Sequence, residues 1–221
     1  MTTTGAGLGI VTLLGVLSFP ATATAAANDR AEKVMVYGDS LSAGYGMDPR
    51  EGWVALLQAK LQADGVAVVN SSISGETSRG GVNRIKTDLA SVKPSVVVLA
   101  LGANDGLRGL PVRETKKNLQ TIITAIQAAK AKVVLVAIQI PPNYGIEYAQ
   151  QFRDLYPELA KQNKLPAPPF LLEGIADKLD LFLSDRMHPK PEAQPAILEN
   201  VLPSIRKALG KAPASTVPAK K

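Results

Sequence analysis

Five short apolar segments recur along the chain, and they constrain its fold more than any other feature. Each is a continuous apolar run rather than an alternation of apolar and polar residues: 34–37, 66–69, 96–101, 133–137 and 170–172. A continuous run is typical of a strand in a parallel sheet whose two faces are both covered. The pattern therefore predicts a five-stranded parallel sheet with other elements packed on both faces.

The segments between these runs have apolar residues at helical spacing. Three such faces stand out: Trp53, Leu56, Leu57 and Leu61; then Leu119, Ile122, Ile123 and Ile126; and last Ile197, Val201, Leu202, Ile205 and Leu209. Gly210 follows the last face, where a helix would end. Strands alternating with helices predict an α/β fold. No repeat or linker divides the chain, so we expect one domain at residues 28–210.

The two ends of the chain differ in composition from the rest. Residues 1–27 carry no charged side chain, and they combine an apolar stretch at 8–19 with a run of small residues at 21–27. This pattern predicts a cleaved signal peptide, and hence a periplasmic or secreted protein; the alternative is an uncleaved membrane anchor. Residues 211–221 contain three lysines and no acid, which predicts a disordered basic tail.

Composition also excludes some chemistry and some partners. The chain has no cysteine and one histidine, which excludes thiol catalysis and the usual zinc sites. The formal net charge is +6. Its plainest interpretation is solubility, and the alternative is weak attraction to an anionic membrane surface or polymer. We expect no nucleic-acid partner, because basic residues are nowhere interleaved with aromatic ones.

Sites in open parallel sheets form at the carboxyl ends of the strands. Ser40 follows the first predicted strand, Gly75 the second and Asn104 the third. Ser40 could be a nucleophile beside the amides of a helix start, and the Gly75 N–H and the Asn104 side-chain amide could donate to an oxyanion. Each residue also has a structural interpretation: a helix-capping serine, a loop glycine and a turn asparagine.

An acid–base pair near the end of the chain completes the set. His188, the single histidine, stands three residues after Asp185. This spacing is one helical turn, so the carboxylate could orient the imidazole, although a lone histidine is also compatible with a structural role. The order Ser, Asp, His is one in which catalytic triads occur. The conjunction of all these parts predicts a serine hydrolase.

These residues resemble the SGNH or GDSL hydrolase family, and most closely its bacterial periplasmic branch of thioesterases, lysophospholipases and arylesterases. The resemblance extends over residues 33–209 and is carried by Gly38–Tyr45, Asn104–Gly109 and Asn143–Gly145, with the Asp185–His188 pair. It implies a flavodoxin-like three-layer α/β/α fold and no cofactor. It also implies a triad of Ser40, Asp185 and His188, and oxyanion donors at Ser40, Gly75 and Asn104. Two residues depart from the family pattern: Ala103 replaces a glycine beside Asn104, and Glu76 replaces an aspartate after Gly75.

We therefore expect a serine esterase, acting as a monomer on a small acyl ester or thioester. Leu107, Pro142 and Tyr144 are the expected substrate-binding residues, since apolar surroundings favour a longer acyl group. Asp39 is expected to be a turn or capping carboxylate. Two alternatives remain: a carbohydrate O-deacetylase of the same superfamily, and a binding module that has lost activity.

Overall fold

The computed structural model describes residues 1–3, 5 and 32–212. Most of the predicted signal peptide and residues 213–221 of the predicted tail lie outside the described residues. Within the described part, no helix has the length and the apolar character needed to cross a membrane.

Strands and helices alternate from residue 33 to residue 209, as the apolar pattern predicts. The strands are β1 (Lys33–Gly38), β2 (Ala67–Asn70), β3 (Val96–Ala100) and β4 (Lys132–Leu135). The helices are α1 (Ser40–Ala43), α2 (Trp53–Gln62), α3 (Ser78–Val92), α4 (Ala103–Leu107), α5 (Val112–Ala128), α6 (Ile146–Gln162) and α7 (Gln194–Leu209). Short 3₁₀ turns occupy Pro142–Tyr144, Leu179–Leu181 and Pro191–Ala193.

The four strands form one parallel sheet in the order β2-β1-β3-β4. This is the order of the first four strands of a flavodoxin-like sheet. Every residue of β3 is buried, so both faces of the sheet are covered. Among the helices, α2 packs against α7, and α5 packs against both α3 and α6. The predicted α/β class is confirmed.

The predicted fifth strand, at 170–172, is wrong for the described part of the chain. There Phe170 makes a single parallel bridge to Ala137, with hydrogen bonds from the Ala137 N–H to the Pro169 carbonyl (2.8 Å) and from the Leu171 N–H to the Ala137 carbonyl (3.1 Å). The preceding segment contains Pro166, Pro168 and Pro169. Proline has no N–H to donate, so the ladder cannot extend backward from this bridge.

The predicted helix faces are buried except at Leu56, which is only partly buried. Trp53, Leu57 and Leu61 are fully buried, and α7 ends at Gly210, whose φ of 72° is left-handed. The indole N–H of Trp53 donates to the carbonyl of Leu41 at 3.1 Å. This buried bond ties α2 to α1, the short helix directly after β1.

Candidate active site

Ser40 is the first residue of α1 and lies at the carboxyl end of β1. Its hydroxyl is 2.9 Å from Nε2 of His188. Gly38 allows the close packing that places it: a Cβ there would lie 2.8 Å from Oγ of Ser42 and 3.0 Å from the carbonyl of Ala100. Only glycine therefore lets the end of β1 lie this close to the end of β3.

Asp185 holds His188 from the side opposite Ser40. Nδ1 of His188 lies 2.7 Å from Oδ2 of Asp185. The other carboxylate oxygen accepts the N–H groups of Met187 (2.9 Å) and His188 (3.0 Å). The segment is a turn, so the three-residue spacing produces the contact without the helical turn that the sequence suggested. Short polar side chains favour such local bonds to the following amides.

The environment of Asp185 keeps its carboxyl ionised. Burial alone would raise its pKa, but the hydrogen bonds from the His188 ring and from the amides of Met187 and His188 outweigh burial and lower the pKa to about 2. A carboxylate accepts only, so Nδ1 of His188 carries the proton in this bond. Nε2 is then the acceptor for the hydroxyl of Ser40.

Two of the three expected oxyanion donors lie on neighbouring segments, Gly75 in the loop after β2 and Asn104 in the short helix α4 after β3. The side-chain amide of Asn104 donates to the carbonyl of Glu76 at 2.9 Å, which fixes the amide beside the Gly75 loop and leaves a second N–H for another acceptor. Gly75 is exposed and has a φ of +79°, a conformation that favours glycine. Its carbonyl accepts from Arg108 at 3.3 Å.

A buried carboxylate that sequence analysis missed connects α4 with the end of the loop after β2. Asp105 is 1% exposed. Its two oxygens accept the N–H (2.8 Å) and the hydroxyl (2.5 Å) of Ser78, the first residue of α3. The loop after β3 is thereby tied to the end of the loop after β2. The sequence did contain a signal for this contact, because Asp105 directly follows Asn104 near a strand end. A charged residue that is buried there needs a partner.

Asp39 caps α1, as expected, and is fully buried. Oδ1 accepts the N–H of Leu41 at 3.1 Å, whereas Oδ2 has no hydrogen-bond partner among the described residues. Burial raises the pKa of this carboxyl to about 7 against the lowering effect of the Leu41 and Ala103 amides, and the charge of Asp105 adds to the rise. Asp39 is thus a buried carboxyl that changes charge near neutral pH.

A cavity of about 420 Å³ opens beside Ser40 and His188. Asn104, Leu107 and Pro142 line it, and most of the remaining wall is apolar: Leu41, Ala103, Ile138, Ile140, Pro141, Phe170, Leu172, Ala176, Phe182 and Met187. Asp177 and Arg186 are its charged wall residues. Gly75 and Tyr144 are not in the wall, and Tyr144 is 41% exposed. Of the three expected substrate-binding residues, the structure therefore brings Leu107 and Pro142 to the cavity.

A second cavity and the absence of a metal-binding cluster are two other features of the described region. A second cavity of about 410 Å³ lies along β4 and α7, and none of the sequence-predicted site residues lines it. Over residues 32–212, no cluster of three or more His, Cys, Asp or Glu side chains could hold a metal ion.

Curated proteins with similar sequences carry hydrolase names. The chain is 45% identical to an esterase TesA of Pseudomonas aeruginosa over 81% of this chain and 90% of that protein. It is 44% identical to an arylesterase of Vibrio mimicus over 83% of this chain and 93% of that protein. It is 41% identical to a thioesterase 1/protease 1/lysophospholipase L1 of Escherichia coli over 76% of this chain and 81% of that protein.

Solved structures agree with these sequence matches. The crystal structure of TesA matches with a TM-score of 0.77 and 44% identity, over 80% of this chain and 99% of that one. That of the psychrotrophic esterase EstA of Pseudoalteromonas, inhibited by monoethylphosphonate, matches with a TM-score of 0.77 and 40% identity, over 81% of this chain and 100% of that one. The model of the GDSL-like lipase/acylhydrolase family matches residues 36–195. The chain therefore belongs to the GDSL-like lipase/acylhydrolase family.

Proposed function

We propose that this chain is a serine esterase that hydrolyses acyl esters or thioesters through an acyl-enzyme formed on Ser40. One observation carries the proposal: Asp185, His188 and Ser40 form a continuous hydrogen-bonded chain, with distances of 2.7 and 2.9 Å, at the mouth of an apolar cavity. A nucleophile, a base and a group that orients the base are the parts that acyl transfer requires. The names of the relatives support both ester and thioester substrates.

The first half of the reaction acylates the enzyme. Oγ of Ser40 bonds to the acyl carbon while Nε2 of His188 takes the hydroxyl proton, and the charge of Asp185 stabilises the resulting imidazolium. When the tetrahedral intermediate collapses, the bond to the leaving oxygen or sulfur breaks. His188 then gives its proton to that atom, and the acyl group remains on Ser40.

The second half releases the acid and restores the enzyme. Water gives a proton to Nε2 of His188 as its oxygen bonds to the acyl carbon. Collapse breaks the bond to Oγ, which recovers the proton from His188. In both halves the negative carbonyl oxygen accepts hydrogen bonds from the backbone amides of Ser40 and Gly75 and from the second N–H of Asn104.

The cavity favours an extended apolar acyl group. Its wall includes Leu107, Ile140 and Pro142, and its volume is about 420 Å³. An acetyl group would leave most of this apolar surface uncovered, so the structure favours a lipid-like or aryl substrate over an acetylated carbohydrate. We expect kcat/KM to rise with acyl length until the cavity is filled.

The decisive experiment compares Ser40→Ala with Ser42→Ala. Both serines lie in α1, but the hydroxyl of Ser42 is buried and has no hydrogen-bond partner among the described residues. With p-nitrophenyl esters and acyl thioesters of graded length, Ser40→Ala should lose turnover and Ser42→Ala should keep it, with both proteins folded. A fluorophosphonate should add to Ser40, as located by mass spectrometry. An adduct on another serine, or turnover by Ser40→Ala, would overturn the proposal.

We also propose that the enzyme is exported and that its leader is removed. The support is the uncharged, apolar and small-residue composition of residues 1–27. Fractionation of expressing bacteria should recover activity from the periplasm or medium, and the mature protein should begin at or near residue 28. A protein that keeps Met1 would contradict the proposal.

We propose further that the enzyme acts as a monomer with weak affinity for anionic membranes. Ser40, Asn104, Asp185 and His188 all come from one chain, so the site needs no second copy, and the net charge of +6 favours anionic surfaces. Light scattering should give the mass of one chain, and a dimer would contradict the first expectation.

Pelleting with anionic vesicles should be weak and should disappear at high salt. Pelleting that resists salt would contradict the second expectation.

A further inference from the structure

Tyr45 packs on the ring of His188. The two ring centroids are 4.3 Å apart and the ring planes meet at 38°. Tyr45 follows α1 closely, and its N–H donates to the carbonyl of Ser40 at 3.4 Å. The residue is therefore placed by the same short helix that carries the nucleophile. Its ring is half exposed, which indicates a role other than filling the core.

The two hydrogen bonds of His188 restrain its ring less about the line that joins them than in other directions. Nδ1 is held by Asp185 and Nε2 by Ser40, on opposite sides of the imidazole. Two bonds on opposite sides do not stop the ring from tilting about the line that joins them. The aromatic ring of Tyr45 lies against the imidazole, with the ring centroids 4.3 Å apart, and would oppose that tilt.

We propose that Tyr45 is a positioning residue for His188, which restrains the tilt of the imidazole and stabilises its protonated form. This inference rests on the proposed function. A cation within about 6 Å of a tyrosine ring is attracted to its face, and the imidazolium exists after each proton transfer. The attraction therefore favours the intermediates over the resting enzyme, which raises kcat.

The aromatic ring of Tyr45, rather than its hydroxyl, carries this role. Within residues 32–212 the hydroxyl of Tyr45 makes no hydrogen bond, whereas those of Tyr37, Tyr148 and Tyr156 all do. Phenylalanine should therefore replace Tyr45, and leucine should not. The charged groups around His188 are Asp185, bonded to its ring, and Arg186 and Asp177, which line the same cavity. None of these changes in a Tyr45 variant.

The test compares Tyr45→Leu, Tyr45→Phe and the control Ile146→Ala, which removes another exposed apolar side chain that lies outside the cavity wall. Tyr45→Leu should lower kcat by about 2- to 5-fold, the fold-change expected for one exposed cation–π contact. Its KM should hold. The acid limb of kcat/KM should move about 0.4–0.7 pH unit lower, because the protonated imidazole loses a stabilising contact. Tyr45→Phe and Ile146→Ala should match the wild type.

The single histidine gives a readout that does not depend on turnover. NMR of the untagged free enzyme follows the ring signals of His188 alone, and their pH midpoint should move lower in Tyr45→Leu but not in Tyr45→Phe. A raised KM with unchanged midpoints would make Tyr45 a wall of the substrate site and overturn the proposal. Equal losses in Tyr45→Phe and Tyr45→Leu would also overturn it. Labelling of a serine other than Ser40 would instead refute the proposed function. The NMR result would still test the contact between Tyr45 and His188 independently.

Discussion

Replacing Asp39 by asparagine removes a buried carboxyl while keeping an oxygen to cap α1. In the wild type this side chain is fully buried, and Oδ2 has no hydrogen-bond partner among the described residues. Ionising it costs free energy because a buried charge loses its hydration without a matching set of donors. The side-chain amide that Asp39→Asn introduces does not ionise at any pH, so the variant isolates the effect of the charge.

The size of the effect follows from the pKa of Asp39, which is 3.8 for an ordinary aspartate and about 7 in the folded protein. Between these two pH values the folded state holds one more proton than the unfolded state, so the free energy of unfolding falls as pH rises. Each pKa unit corresponds to ~1.4 kcal/mol. Between about pH 4.5 and about pH 8, the free energy of unfolding of the wild type should therefore fall by about 3 kcal/mol relative to that of Asp39→Asn.

Guanidinium unfolding of both proteins across this pH range measures the difference directly. Asp180→Asn is the control, since it removes one exposed carboxylate and changes the net charge equally. Its free energy of unfolding should run parallel to that of the wild type. If the curve of Asp39→Asn is also parallel to the wild type, the carboxyl does not change protonation in the folded protein and the reasoning is refuted.

Two further predictions concern groups that we propose to be catalytic. Asn104→Ala should lower kcat by about 10²–10³-fold with little change in KM, because its donor is used mainly by the oxyanion; steady-state kinetics in which KM rises while kcat holds would make Asn104 a substrate-binding residue. Asp185→Asn should lower kcat by up to about 10⁴-fold, because the tautomer of His188 is no longer held, and the acid limb of the pH–rate profile should move lower. A variant with wild-type kcat would show that the turn alone orients His188.

The sequence alone was sufficient for the fold class and for the edge of the sheet where the site lies. Continuous apolar runs report strands covered on both faces, and helical spacing reports the buried faces of α2, α5 and α7, because both patterns follow from local backbone geometry. The same patterns overestimated the sheet by one strand. The run at 170–172 is apolar enough for a strand, but the prolines before it cannot donate to a ladder, so it contributes a single bridge.

What only the tertiary structure decided is which side chains meet and in what surroundings. Ser40 and His188 are 148 positions apart, and no local pattern specifies their contact. The contact of Tyr45 with His188, the bond of Asp105 to Ser78 and the exclusion of Tyr144 from the cavity wall depend in the same way on how separate elements pack. The burial of Asp39 also depends on how separate elements pack. The capping role of Asp39 was predicted from the sequence, but its burial, which changes its charge, was not. Packing sets solvent exposure, and solvent exposure sets protonation, which is why the sequence identified the chemical groups but not their electrostatics.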